Sequence, residues 1–541
     1  MHLNLPTFTA FSGFCALALG LFCSSYVFPK LEGYLISKAI ALEEGGKAYE
    51  AWKNIPFPFK LKVYFFNVTN ANDVQMGSKP ILREIGPYIY DEFREREVLG
   101  INDENDSIRY TQKKNYYFNK DESGCRSEDD IITILHFAIV SMAFKINNIS
   151  PMALPMLNDS LPLLFPNIKD VFITNSVRKI LFDGLEIMCD SEEVDMICEG
   201  LRSTPPHTIR PTNDGKGFLL SLFHHMNNTN EGPFEIGRGL KDTVKGKVLS
   251  FKENNLLTQW KSSTCNEIRG TDLTINPNLP EVPQKINFFV PDFCRYFSAK
   301  FQEELHYFGL KTYIFKTVNL FQSRENCFCE IRSYEEDDDD RLLPNCPPKG
   351  TMEVSRCTGS PIVISQPHFL GAEKSLLEFS QGLKPNRDRH GTFIFMEPKT
   401  GLALKVKIRI QMNIFLKHYE DVSVLKNVSE GYFPFMWIEN GAEVPMNIIE
   451  EVKNNFSKLK VFDFAKYVLI TGGIIMLGVS IILAMVKDKV VCSCSKKSAN
   501  SVKRRDYLGR FMNMYSDFEA NNGVTLQQQH NVGRYVPNIT E

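Results

Sequence analysis

Two long uncharged runs, one near each end of the chain, restrict its fold more than any other feature. From Phe8 to Phe28 the sequence FTAFSGFCALALGLFCSSYVF holds no charged side chain, and as a helix rising about 1.5 Å per residue it spans a hydrocarbon core of roughly 30 Å. The run YVLITGGIIMLGVSIILAMV, Tyr467 to Val486, is bracketed by Lys466 and Lys487 and reads the same way. The first run competes with a cleaved secretory signal. Its leading MHLNLPT carries no Lys or Arg, however, and it exceeds the h-region of about 7–15 residues, so a retained anchor is expected.

Positive charge orients the second span. Lys487, Lys489, Lys496, Lys497, Lys503, Arg504 and Arg505 follow it directly and favour the cytosolic side. Two spans place both termini together, which predicts a short cytosolic N-terminus (1–7), a span (8–28), an extracellular segment (29–466), a second span (467–486) and a cytosolic tail (487–541), polar and unstructured after Lys496. Seven glycosylation sequons fall in the large segment, at Asn67, Asn105, Asn148, Asn158, Asn227, Asn427 and Asn455, and their grouping supports this orientation. The sequon at Asn538 lies in the tail and is expected to stay unmodified.

The 13 cysteines fit an oxidising compartment for that segment. Nine lie within it: Cys125, Cys189, Cys198, Cys265, Cys294, Cys327, Cys329, Cys346 and Cys357. A zinc site competes for Cys327-Phe-Cys329 with Cys346 and Cys357, but the one-residue spacing is unlike the usual zinc knuckle and disulfides are preferred. The six cysteines from 265 to 357 allow about 15 connectivities, and spacing does not choose among them. Cys492-Ser-Cys494, beside lysines at the end of the second span, has the setting of palmitoylated cysteines.

Residues 61–68 and 81–90, rich in β-formers and separated by Asn72, Asp73 and Gly77, predict paired strands. Apolar residues at every even position from Leu402 to Leu416 predict a strand wet on one face, joined to 391–396 by the turn Pro398-Lys-Thr-Gly401. Helices are expected at 130–146, 150–164 and 168–183, forming a helical lobe of about 130–205, and at 293–308, where Phe293, Phe297, Phe301, Leu305 and Phe308 recur along one face as ordinary core. The acidic run Glu335–Asp340 reads as a solvated loop, since it lacks the alternating ligands and glycine of a calcium loop.

Lys+Arg of 62 against Asp+Glu of 64 leaves a net charge of −2, so no positive field invites nucleic acid. Serine-hydrolase, zincin and P-loop motifs are missing, and Gly237-Arg-Gly239 begins a dinucleotide pattern that Asp242 breaks. His136, His224 and His225 are candidates for acid–base or metal chemistry, against the commoner structural role of isolated histidines. Binding rather than catalysis is expected, with no cofactor and no metal.

At Phe66-Asn-Val-Thr-Asn70, Lys79-Pro80 and Glu84-Ile-Gly-Pro-Tyr88 the chain resembles the class B scavenger receptor family. The resemblance runs on through Trp260, Cys265, Gly270-Thr-Asp272, Pro291-Asp-Phe-Cys-Arg295, Cys327-Phe-Cys329, Pro367-His-Phe369 and Gly382-Leu-Lys-Pro-Asn386. Phe57-Pro58-Phe59, Cys189-Asp-Ser-Glu-Glu193 with Cys198, and Cys346-Pro-Pro-Lys-Gly-Thr-Met352 are most similar to the insect sensory neuron membrane proteins within it. The resemblance implies an α+β fold: a large antiparallel β-barrel-like ectodomain with a helical apical lobe and an internal hydrophobic tunnel, flanked by two transmembrane helices. It implies bridges Cys265–Cys327, Cys294–Cys357 and Cys329–Cys346, with Cys189 and Cys198 as candidates for a fourth and Cys125 left over. A lysine of the lobe takes part in fatty-acid capture in related receptors, which makes Lys169 a nearby candidate.

The function so implied is capture of a long-chain lipid or pheromone at a sensory neuron's dendritic plasma membrane and its passage to membrane lipids or an odorant receptor channel. Pheromone-binding proteins are further candidate partners. The alternatives are a scavenger or lipoprotein receptor for lipid uptake in non-sensory tissue, and a tethered hydrolase acting through His136, His224 or His225.

Overall fold

The computed structural model describes residues 5–166, 168–241, 245–260, 262–317, 321, 330–331, 344–345 and 347–519, the side chains of 330–331, 344–345 and 490–519 excepted. The chain forms two compact units, one from its two ends (Met1–Leu31 with Lys458–Glu541) and one from Glu32–Ser457.

In the first unit both apolar runs are helical, within Leu5–Ile40 and Met446–Lys489. Lipid gives helices no hydrophobic reason to pair, so close approach depends on small residues. A Cβ on Gly473 would lie 2.7 Å from the Leu17 backbone nitrogen and 3.0 Å from the Gly13 carbonyl oxygen, whereas Gly472 faces open space. One heptad on, Ser480 Oγ donates to the Pro6 carbonyl at 2.7 Å. Gly473→Ile is therefore expected to lower the melting temperature of the detergent-solubilised chain by several degrees and Gly472→Ile to leave it unchanged, as followed by thermal aggregation. The second helix continues to Glu519 rather than ending near Lys496. The polar composition hides Leu508, Phe511, Met512 and Tyr515, whose three- and four-residue spacing supports a helix.

In the second unit one 13-stranded sheet dominates. Its strands are β1 (Phe59–Val68), β2 (Leu82–Asn102), β3 (Ser107–Phe118), β4 (Thr229–Gly237), β5 (Val248–Phe251), β6 (Lys285–Val290), β7 (Arg295–Tyr307), β8 (Leu310–Lys316), β9 (Thr351–Glu353), β10 (Ile362–Ser365), β11 (Phe393–Met396), β12 (Ala403–Leu416) and β13 (Gly431–Glu443). They pair antiparallel in the order β5-β4-β3-β2-β1-β13-β12-β11-β8-β7-β6, with β10 on β12 and β9 on β10. The strap Gly270-Thr271 joins the two edges: Val248 N donates to Gly270 O at 2.9 Å, and Phe289 N donates to Thr271 O at 2.9 Å. The sheet thus becomes a nearly closed barrel, which removes the exposed edges that would invite pairing with other chains. Gly270 must be glycine, with φ +93° and a Cβ position 2.2 Å from Asn287 O.

The strand pair β1–β2 stands where its β-forming residues place it, and the hairpin β11–β12 where alternation does. The helix expected at 293–308 is instead β7, paired with β6 and β8. Phe297 and Phe301 are four apart, an even number that keeps one face of a strand as well as of a helix, and Ala299 fills the same face, while a register shift after Phe301 takes Leu305 off it. Segment 130–205 is also less helical than expected. Helices span Phe137–Ile149, Leu154–Leu164 and Asp195–Ser203, but Ile131–Leu135 pairs with Phe172–Ser176 as a two-stranded sheet. The β-branched run Ile-Ile-Thr-Ile favours a strand, and Asn67 Oδ1 accepts from Thr133 N at 2.8 Å to fix it on the barrel. This lobe shares one apolar core with the barrel, through pairs such as Phe137–Phe435 and Tyr90–Phe182.

Candidate functional site

The inner wall of the barrel follows from strand alternation. On β1, β13 and β12, one face carries the rows Leu61–Asn440–Ile408, Val63–Ile438–Ile410 and Phe65–Met436–Met412. Leu61, Val63, Phe65, Ile410 and Met436 are buried, yet Ile408, Ile438 and Met412 keep accessible surface although they belong to the apolar cores. Such aliphatic surface is where an apolar chain is best accommodated.

The same wall carries charge further along β2 and β3. Glu92, fully buried, accepts from Arg94 Nε at 2.5 Å and from Asn440 Nδ2 at 2.9 Å. Burial alone would raise the Glu92 carboxyl, but Arg94 and Lys114 overcome it and hold it below the usual range. Lys114 pairs with Glu231 at 3.0 Å and also feels Asp292, so Glu92, Glu231 and Asp292 leave neither Arg94 nor Lys114 a charge to spare. Tyr116 stands opposite Glu92 in the ladder. Its hydroxyl is buried without a hydrogen-bond partner, and burial, then Glu92, push its pKa well up, so it stays a neutral donor. An orphaned hydroxyl beside cations already matched by carboxylates suits an uncharged polar group.

A second node lies on the opposite face. Glu84 accepts from His368 Nε2 at 2.5 Å, from Trp437 Nε1 at 2.9 Å and from Arg389. Burial would raise its carboxyl, but the bonds from His368 and Trp437, with the charge of Arg389, hold it low. Glu84, His368 and His390 place their donor atoms within 4.8 Å of one another, a metal-like grouping. The tautomers argue for hydrogen bonding instead. Lys384 N donates to His368 Nδ1 and Asn386 N to His390 Nδ1, which leaves the protons on the Nε2 atoms that a metal would need. The node clamps a segment whose His368 and Phe369 both hold left-handed backbone, φ 53° and 52°, each costing about 1–3 kcal/mol.

Three imidazoles are kept neutral. Burial pushes His136 down to about 4; burial with His224 and His207 does the same for His225, and burial with His368 for His390. Since each is depressed below 6.5, the unfolded chain binds more protons between pH 6.5 and 4, and stability is lost as pH falls through that window. Unfolding midpoints against pH should show this decline, and His136→Phe should flatten it.

His136 packs edge-on against Phe165 at 4.7 Å, while His224 and His225 sit in the turn His224–Met226, with His225 beside His207. Lys169 is exposed in the loop before Phe172. Cys189–Cys198 and Cys294–Cys357 are disulfides, and Cys265 is bonded to a residue outside the described set. Cys327, Cys329 and Cys346, with the acidic run, also lie outside it; Cys125 is free and exposed. Cys492 and Cys494 lie on the long C-terminal helix. Asn105, Asn148, Asn427 and Asn455 are exposed, whereas Asn67, Asn158 and Asn227 are half-buried, their Oδ1 atoms accepting from Thr133, Ser423 and Tyr116. Neither Tyr116 nor the Glu84 node was marked by sequence; the motif signal at Glu84 and His368 pointed to family, not to contact.

The sequence model of the CD36 family matches residues 11–484. Sensory neuron membrane protein 2 of Heliothis virescens is 34% identical over 471 residues, 85% of this chain and 89% of that protein. Sensory neuron membrane protein 2 of Manduca sexta is 34% identical over 467 residues, 85% and 90%. Sensory neuron membrane protein 1 of Apis mellifera is 33% identical over 466 residues, 84% and 87%.

Proposed function

The chain belongs to the CD36 family, the class B scavenger receptors, and from that premise we propose that it is a two-pass plasma-membrane receptor whose barrel takes up long-chain hydrophobic molecules. The aliphatic surface of Ile408, Met412 and Ile438, on a wall that also carries the unpartnered Tyr116 hydroxyl, is the observation that supports this reading. Each methylene removed from water there contributes about 0.8 kcal/mol, and the hydroxyl orients a polar head. The carboxylates Glu92, Glu231 and Asp292 around it favour an alcohol, ester or aldehyde over a carboxylate.

The names of its relatives extend the reading to sensory neurons, with a pheromone-like ligand delivered through the barrel as a tunnel to membrane lipids or an odorant receptor channel. In this reading the termini are cytosolic, the exposed sequons carry sugar, Cys492 and Cys494 are palmitoylated, and pheromone-binding proteins supply the ligand. The remaining bridges pair Cys265 with Cys327 and Cys329 with Cys346.

The test uses the full chain in nanodiscs. Hexadecanol should bind saturably below its aggregation threshold and more tightly than hexadecane; Ile438→Trp should weaken it by tenfold or more, and Tyr116→Phe should erase the preference for the alcohol. Uptake only as aggregates, or insensitivity to Ile438→Trp, would contradict it.

A further inference from the structure

The outer face of β1, β13 and β12 carries ionic rows running across the three strands. In one row Lys62, Glu439 and Arg409 stand side by side, and four residues along the strands Lys405 faces Glu443. Each of these rows sets a carboxylate of β13 beside cations. The row between them reads Lys60–Gly441–Lys407, with no side chain in the centre. Gly441 has no alternative, because a Cβ there would lie 1.9 Å from Val406 O. A cleft of about 250 Å³ opens over it, its charged lining being Lys60, Lys62, Lys407, Glu122, Glu439 and Glu443.

The flanking ammonium groups have donors to spare. Lys60 meets Asp91 at 2.6 Å and Glu122 at 2.5 Å, which leaves one of its three N–H donors. Among the described residues Lys407 reaches only Glu439 Oε1, at 3.4 Å, and shares it with Lys62 at the same distance. The other Glu439 oxygen is held by Arg409 at 2.7 Å. All four side chains are largely buried, with Lys62 and Lys407 about one-quarter exposed. Burial, reinforced by Lys62, Arg409 and Lys405, pushes the Lys407 ammonium down despite Glu439, so an added anion would be stabilised there.

We propose that the gap over Gly441 is an oxyanion site, seating a carboxylate or phosphate between Lys60 and Lys407 in the place where the neighbouring rows carry a glutamate. It lies on the face opposite the inner wall and stands independently of the lipid-receptor reading. The oxyanion could be a lipid's head group or a free ion, and the test separates the two.

Lysine modification by acetic anhydride, mapped by mass spectrometry on the full chain in nanodiscs, is run with octanoate, inorganic phosphate or octanol. Octanoate or phosphate should slow modification of Lys60 and Lys407 several-fold, and octanol should not. Phosphate acting at lower concentration than octanoate assigns a free ion; octanoate alone assigns a lipid head. Lys407→Gln should abolish protection of Lys60. Glu439→Gln removes the competing carboxylate and should lower the half-protecting concentration roughly tenfold, equivalent to about 1.4 kcal/mol, a gain that misfolding does not produce. Protection by octanol equal to that by octanoate, no protection by either anion, or weaker protection in Glu439→Gln would overturn the proposal.

Discussion

Arg96→Ala is expected to destabilise the barrel by about 3–5 kcal/mol, the usual cost of removing one partner of a buried ion pair. The Arg96 side chain is fully buried. It donates to Asp272 at 3.1 Å, to Thr274 at 3.0 Å and to the Trp52 carbonyl at 2.5 Å, with Trp52 and Tyr110 flanking its guanidinium. Asp272 directly follows Thr271, the residue that joins both sheet edges. Losing the arginine strands a carboxylate and frees the strap. Hydrogen exchange should accelerate first at Val248, Thr271 and Phe289, whose amides make the closing bonds. Arg96→Lys keeps the charge but not the fork that reaches three acceptors, so it should recover only part of the loss. Uniform acceleration over all strands would show that Arg96 supports the core generally rather than the closure.

Glu84→Ala should also destabilise the fold, by about 1–3 kcal/mol for each buried donor it leaves unpaired. The change leaves the His368 and Trp437 donors unpaired and sets Arg389 free, while the left-handed backbone at His368 and Phe369 loses the contact that holds it. Gln at position 84 keeps one acceptor but turns an amide donor toward another donor, so it should rescue about half. Because the Glu84 carboxyl is held low, its contribution is present above the ordinary carboxylate range and is lost as pH falls through the folded value. Urea midpoints of the intact chain at pH 7 and pH 4 measure this: the gap between wild type and Glu84→Ala should narrow at the lower pH. An equal gap at both would assign the effect to packing.

Local patterns were legible wherever one period dominated. The alternation from Leu402 to Leu416 can only be a half-wet strand, and β12 is that strand. The Phe stripe of β7 was not legible, because a spacing of four satisfies both periodicities and only the partners β6 and β8 decide. Nor could the sites be read. Glu84, His368, His390 and Trp437 come together from separate parts of the chain, and the gap at Gly441 exists only in the register of three strands. Motifs such as Gly270-Thr-Asp272 and Pro367-His-Phe369 look like functional signatures, yet here they are joints of the fold: a glycine too close to a neighbouring carbonyl for any side chain, an aspartate bound to a buried arginine, a histidine bonded to a buried glutamate.

A receptor of this kind must hold its long-chain ligand against the barrel's inner wall. The most direct measurement is photo-crosslinking of the full chain in nanodiscs with a diazirine-bearing long-chain alcohol, followed by peptide mapping. Labels should concentrate at 408–412 and 436–440 and be displaced by unlabelled hexadecanol. Labels confined to the exposed apolar residues Ile131, Ile149 and Met152 or to the two terminal helices, with none in those strands, would contradict it.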